Sequence, residues 1–272
     1  MTGVQRSGDN QASSLPTYLL ALSILCLLAG LGLGLLALAG PLAVWTGLAD
    51  FRFGAAPLQI ANTWGKWVGG IALLAALAIV ALGRRAGAAS ATRYGVLAVV
   101  GAISAGLAWY VPESFRPPEG TPPIHDVATD PYDPLPFQAI APLRADAANN
   151  MDYGVMPGME TVQQHIDVQR RAYPDIVPQV YERSVRAVFD DALAAARSMG
   201  WEVVAADPKT GRIEATDTTF WFRFKDDVVV EVSENEDGAA VLQARSLSRV
   251  GRGDVGKNAA RLREFFDRIS GA

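Results

Sequence analysis

Charged residues are absent from residues 18–49, a run longer than the ~20 apolar residues a membrane-spanning helix needs. It also exceeds the apolar core of a signal peptide, about 7–15 residues. Two further apolar runs cover residues 68–82 and 94–111, and Trp64 and Trp67 extend the first of them upstream. The pattern predicts three transmembrane helices within residues 15–111. Next comes a proline-rich stretch, residues 112–179, with Pro112, Pro117, Pro118, Pro122, Pro123 and then PYDPLP. Proline fixes φ and removes a backbone donor, so no long helix or central strand is expected there. Tyr132, Leu135, Phe137 and Ile140 are too apolar for a free tether. This connector is expected to lie along the folded domain, with a short helix near residues 160–170.

From residue 180 the periodicity is helical through Tyr181, Val185, Val188, Phe189, Ala192 and Ala196, and Gly200 ends it. WEVVAAD, RIEATDTTFWFRF, VVVEVSE and AVLQARSLSRV then read as strands joined by PKTG, KDD and ENEDG turns. Ala259, Leu262, Phe265, Phe266 and Ile269 give the last helix an apolar face. The expectation for residues 180–270 is an α+β layer of helix, four-stranded antiparallel meander and helix, similar to a helix-grip. Both helices are expected on the face of Phe220, Phe222 and Phe224. The opposite face would then show Trp221, Arg223, Arg245 and Arg249, mixed with Asp217, an amphipathic basic surface that is either open or covered by the connector.

Half of the 272 residues are apolar and the net charge is −4, so composition alone allows one or two domains. Arg84, Arg85 and Arg93 lie between the second and third apolar runs with no acid among them. That predicts a cytoplasmic second loop, a cytoplasmic N-terminus and an outer C-terminal domain. Trp45, Trp64, Trp67, Trp109 and Tyr110 fall at the outer ends, and Tyr18 and Tyr94 at the inner ones. The apolar runs hold no ionisable side chain apart from tyrosine and Cys26, which argues against an ion-coupled transporter. Gly30 and Gly34 form a G-x-x-x-G, read as packing within the bundle ahead of dimerisation. Cys26 is the one cysteine, so no intrachain disulfide is available.

GRGDVGKN, residues 251–258, fits G-x-G-x-x-G and most of a phosphate loop. A dinucleotide fold needs a second parallel strand after the helix, and a phosphate loop needs Ser or Thr where this chain has Asn258. The reading preferred is a strand-to-helix turn in which Asp254 caps the last helix, with Val255, Gly256 and Lys257 as its first turn. Helix N-termini also attract anions, and Arg249, Arg252 and Lys257 surround this one. R-G-D at residues 252–254 is taken as chance. His125, Asp126, Asp130, Asp133 and His165 match no metal-ligand spacing, and turn chemistry accounts for them better. Ser246 and Ser248 lie in no G-x-S-x-G.

IHDVATD, GRIEATDTTFWFRFKDDVVVEV and RSLSRVGRGDVGKNAARL, in that order, resemble the bacterial and plastid domain-of-unknown-function 1499 (DUF1499) family. The family pattern falls on Asp130, Glu214, Asp217, Phe222, Asp227, Arg245, Ser246, Arg249, Gly251, Asp254, Gly256, Asn258 and Arg261. Many members enter the domain through cysteine-containing segments that this chain lacks; it is similar to those with a multi-helix membrane anchor. The resemblance implies no activity. The fold looks similar to helix-grip domains of an outer-membrane assembly lipoprotein, a likeness that licenses no function.

The expected protein is therefore anchored in the bacterial inner membrane, with a periplasmic domain that binds an envelope protein or an anionic lipid. Its candidate binding residues are Arg223, Arg245, Arg249, Arg252, Lys257, Asn258 and Arg261, with Asp254 as a structural cap. No catalytic residue, metal, cofactor, nucleotide or nucleic-acid partner is expected beside the lipid bilayer itself. The rival reading is an envelope hydrolase or transferase using Asp217, Asp254 and the arginines.

Overall fold

The computed structural model describes residues 6–156 and 158–270, and only the backbone of residues 6–13. Two compact units divide the chain, Met1–Arg116 and Pro117–Ala272. The first contains helices α1 (Arg6–Trp45), α2 (Phe51–Arg85) and α3 (Ala91–Ser114). Each contains a stretch long and apolar enough to cross a membrane. α2 starts well before the apolar run at residue 68, because the Asp50 carboxylate caps it by accepting from the Arg52 amide at 2.9 Å. Its 35 residues span about 52 Å.

The bundle packs through small side chains. Ala61, Ala72, Ala76, Ala98 and Ala105 are buried, while Leu25, Leu35, Leu74 and Ile103 point outward. That is the reverse of a water-soluble bundle and suits an apolar solvent, where close backbone packing takes over from hydrophobic burial. A Cβ on Gly30 would overlap the backbone of Gly101, and one on Gly34 would overlap Ser104. Both motif glycines thus serve α1–α3 packing. Across the α2–α3 interface the Asn62 amide donates to the Trp109 carbonyl at 2.8 Å.

The second unit is built on six antiparallel strands rather than the expected four. They are β1 (Asp126–Ala128), β2 (Gln179–Tyr181), β3 (Glu202–Asp207), β4 (Arg212–Thr218), β5 (Lys225–Glu234) and β6 (Ala240–Ser248). The order is β1-β6-β5-β4-β3, and β2 pairs with the same edge of β6 as β1, at residues 240–242 where β1 pairs at residues 245–247. β1 comes from the connector, whereas β2 straddles its end and takes in Tyr181, expected in a helix that begins only at Val185; at three residues each they are too short to carry an alternation signal. The expected short helix is α4 (Val162–Ala172), started by a Thr161–Gln164 capping box.

Helices α5 (Val185–Ser198) and α6 (Lys257–Ser270) cover one sheet face. They pack on Ile213, Ala215, Val228, Val230, Val232, Leu242 and Ala244. The other face is covered by the connector, whose Leu135, Phe137 and Ile140 pack on Val229 and Leu247.

The phenylalanines are not where alternation puts them. β4 ends at Thr218, which pairs with Lys225, so residues 219–224 are the hairpin turn. Phe220 is exposed, and Phe222 stacks on Phe224 at 5.8 Å. The turn closes where Phe224 N–H donates to Thr219 Oγ1 at 2.9 Å and Thr219 N–H donates to the Phe224 carbonyl at 2.8 Å. Arg223 has φ 54°, which no strand residue adopts. The KDD segment, expected as a turn, belongs to β5. Removing the phenylalanines from the strand changes its faces: Asp217 continues the row of Ile213 and Ala215 toward the helices, not the arginine face.

A fragment of residues 117–272 is expected to unfold in one cooperative urea transition followed by circular dichroism. A fragment of residues 179–272, which lacks β1 and the connector, should show none.

Candidate functional site

Charged side chains are buried on both faces of the sheet, and each is met by partners from a distant part of the chain. On the helix face, Asp217 and Asp226 are cross-strand neighbours. Arg261, rising from α6, donates to Asp217 at 2.8 Å and to Asp226 at 2.5 Å. It also donates to Asn258 Oδ1 at 2.6 Å and Ser246 Oγ at 3.1 Å. Asn258 lies one turn earlier on α6 and is fully buried. Its Nδ2 donates to Ser248 Oγ at 3.0 Å and to the His125 carbonyl at 2.9 Å, and its Oδ1 accepts from Ser246 Oγ at 2.7 Å. One side chain thereby ties α6, β6 and the entry to β1 together.

On the connector face, Arg245 holds Asp126 in a two-pronged pair at 3.0 and 2.8 Å. Its remaining donors reach the carbonyls of Leu135 at 3.0 Å and Met151 at 2.6 Å. The guanidinium also lies 5.1 Å from the Phe137 ring centroid and 5.4 Å from that of Tyr153. Asp227 accepts from Thr216 at 2.7 Å, from Arg249 at 2.9 and 2.8 Å, and from Arg144. Arg249 and Arg144 continue into the connector backbone at Leu143 and Asn149, at 2.9 and 3.0 Å. Glu214 accepts the backbone amides of Gln138 and Ile140, both at 2.9 Å, and pairs with Arg212 at 3.0 Å. The connector is therefore clamped by Arg245 and Arg249, two of the residues expected on the amphipathic face, together with Asp227 and Glu214.

The free side of β1 is closed by side chains of α4. Gln169 Nε2 donates to the Ala128 carbonyl at 2.7 Å and its Oε1 accepts the Ala128 amide at 3.0 Å, as a neighbouring strand would. One turn earlier, His165 Nε2 sits 2.9 Å from the Asp126 carbonyl. That contact requires Nε2 to carry the proton, which leaves Nδ1 buried and, among the described residues, without a partner. Burial holds both His165 and His125 below the ordinary imidazole value.

At the start of α6, Asp254 Oδ1 accepts from Gly256 N–H at 2.8 Å and Oδ2 from Asn258 N–H at 2.7 Å. The cap expected of Asp254 is present, but the helix begins at Lys257. Val255 (φ 53°) and Gly256 (φ 81°) are left-handed, so they form the turn and not the first helical residues. The amides a phosphate would need are held by the Asp254 carboxylate. Burial, opposed by these two hydrogen bonds, raises its pKa above 3.8.

Of the residues singled out in the sequence, Arg245, Asn258 and Arg261 are buried and Arg249 is largely so. Arg223, Arg252 and Lys257 reach the surface, at the hairpin tip and at the start of α6. The two groups do not form one face. Arg144, Gln169, His165 and Tyr153 went unremarked as partners because each acts from the irregular connector or from α4. No cluster of histidine, cysteine and carboxylate suited to a metal occurs among the described residues.

A family model described as a protein of unknown function (DUF1499) matches residues 126–269. No curated protein and no solved structure matches the chain.

Arg245→Ala would strand the Asp126 carboxylate in the apolar layer, and removal of one partner from a buried pair costs about 3–5 kcal/mol. The exposed pair Arg186–Asp190 is the control, and Arg186→Ala should cost under about 1 kcal/mol. Urea midpoints of the two variants measure the contrast. Asp254→Ala is expected to lose about 0.5–2 kcal/mol in the same titration.

The histidines add a pH dependence. Burial makes each harder to protonate in the folded chain than in the unfolded one, where imidazole titrates near 6.5, so the unfolded chain binds more protons in acid. Their contribution to stability is full above pH 6.5 and is lost as the pH drops below it. His165→Gln should flatten the slope of stability between pH 6.5 and 5.5 by at most about 1.4 kcal/mol per pH unit.

Proposed function

The chain belongs to the DUF1499 family, and from that premise we propose that it is a membrane-anchored binding protein of the bacterial cell envelope, without catalysis. In this reading its three apolar helices sit in the inner membrane with the N-terminus in the cytoplasm. The α+β domain is periplasmic and engages an envelope protein or an anionic lipid head group.

The observation that carries the reading is the division of the charged residues into two sets. Arg245, Arg249, Asn258 and Arg261 are committed, with their carboxylates, to holding the connector and α6 on the sheet. A group that bears the fold in a buried pair has little freedom to exchange protons or receive a substrate. The contacts are assigned instead to Arg223, Arg252 and Lys257, which are exposed, together with Phe220 and Trp221. Phe220 is 64% exposed, and exposed aromatic side chains beside a cation are typical of contact surfaces. The raised pKa of Asp254 favours the second reading, a hydrolase or transferase using Asp217 and Asp254.

Two measurements test the proposal. A periplasmic phosphatase fused to the C-terminus should be active, and activity of a cytoplasmic reporter alone would reverse the orientation. A photo-crosslinking residue at Phe220, in the full chain in intact membranes, should capture one protein or an anionic lipid. Arg223→Glu should reduce that capture at unchanged thermal stability. Capture that is diffuse and insensitive to Arg223→Glu would remove the tip from the binding surface.

A further inference from the structure

A groove of about 300 Å³ opens along the outer side of the α2–α3 pair. Gly70 and Leu73 of α2 line it with Ile103 and Gly106 of α3, and Lys66 and Trp109 stand at one end. Along α2 the groove runs from Lys66 to Leu73, about 10 Å at the helical rise. Along α3 it runs from Val99 to Trp109, about 15 Å. Half of a hydrocarbon core is about 15 Å deep. The groove therefore matches the depth of one leaflet. Its Lys66 end is the interfacial one, where Trp67 and Trp109 lie and the apolar run of α2 begins. Lys66 is exposed, packs its ammonium 5.3 Å from the Trp67 ring centroid, and makes no ion pair among the described residues.

We propose that this groove holds one acyl chain of an anionic glycerophospholipid whose phosphate is met by Lys66. Charge decides between the two apolar occupants that fit. A helix from a second copy would lay hydrocarbon over the lysine, whereas a phospholipid brings a phosphate to the level at which the lysine sits. The proposal rests only on α2 and α3 lying in a bilayer and is independent of what the α+β domain binds.

The glycines supply the test. A Cβ at Gly70 or Gly106 meets no atom within 4 Å, so Gly70→Leu and Gly106→Leu fill the groove without forcing the helices apart. Gly32 on α1 is equally open and lies outside the groove, which makes Gly32→Leu the control. The detergent-solubilised full chain would be titrated with phosphatidylglycerol or with phosphatidylcholine of the same acyl chains. Lipid adducts would be counted by native mass spectrometry, and helix content and particle mass measured in parallel.

The wild-type chain should retain one phosphatidylglycerol, with a preference over phosphatidylcholine of about five-fold, the contribution of one lysine near an anionic head group. Gly70→Leu and Gly106→Leu should lose both lipids, and Gly32→Leu neither. Lys66→Gln should keep the adduct and lose the preference. Unchanged retention in Gly70→Leu and Gly106→Leu overturns the site, as does equal loss in Gly32→Leu. A persistent preference in Lys66→Gln overturns the head-group assignment. A dimer that Gly70→Leu separates would make a second copy of the chain the occupant.

Discussion

Asp226 and Asp227 are consecutive on a strand and therefore point to opposite faces of the sheet. Both are buried, and a buried carboxylate persists as an anion only where cations and donors replace its water. The domain's buried polar contacts to α6 and to the connector follow from that requirement. Asp226 draws Arg261, and with it α6, onto one face; Asp227 draws Arg249 and Arg144, and with them the connector, onto the other. The carboxylates outnumber Arg261 on the helix face, and the guanidiniums outnumber Asp227 on the connector face. Such pairs add little net stability over apolar packing, but they discriminate sharply against a wrong register. A slip of one residue on β5 would exchange the two faces and leave every one of these groups unmatched.

The elements with strong periodicity were legible in the sequence: the three apolar helices, α5, α6, and the strands carrying Val228, Val230, Val232, Leu242 and Ala244. Where the sequence misled, two structures shared one pattern. Phe220, Phe222 and Phe224 alternate as a strand would, yet Thr219 closes a turn around them and Arg223 adopts a left-handed φ. β1 and β2 gave no signal because pairing along β6, and not their own composition, makes them strands.

The charged residues were visible, but their partners were not. Arg245 and Arg249 stand out in a strand, and the family pattern includes them with Asp227. Nothing local links Arg245 to Asp126 or Asp227 to Arg144, whose positions differ by 119 and 83 residues. Gln169 and His165 are ordinary polar residues on an amphipathic helix until β1 lies beside them. Asp254 was the exception, since a cap acts within four residues of itself.

The pairing of β1 with β6 also sets a clock. Asp126 leaves the ribosome 119 residues before Arg245 does, a delay of about 6–24 s at 5–20 residues per second. Until Val229 and Leu247 follow, Leu135, Phe137 and Ile140 lack their full cover. Because the covering partners arrive last, the domain is assembled by closing one long loop late, which is slow in proportion to the entropy that loop gives up. A nascent chain of this design is most exposed to proteases and to wrong partners in the moments just before its last helix emerges.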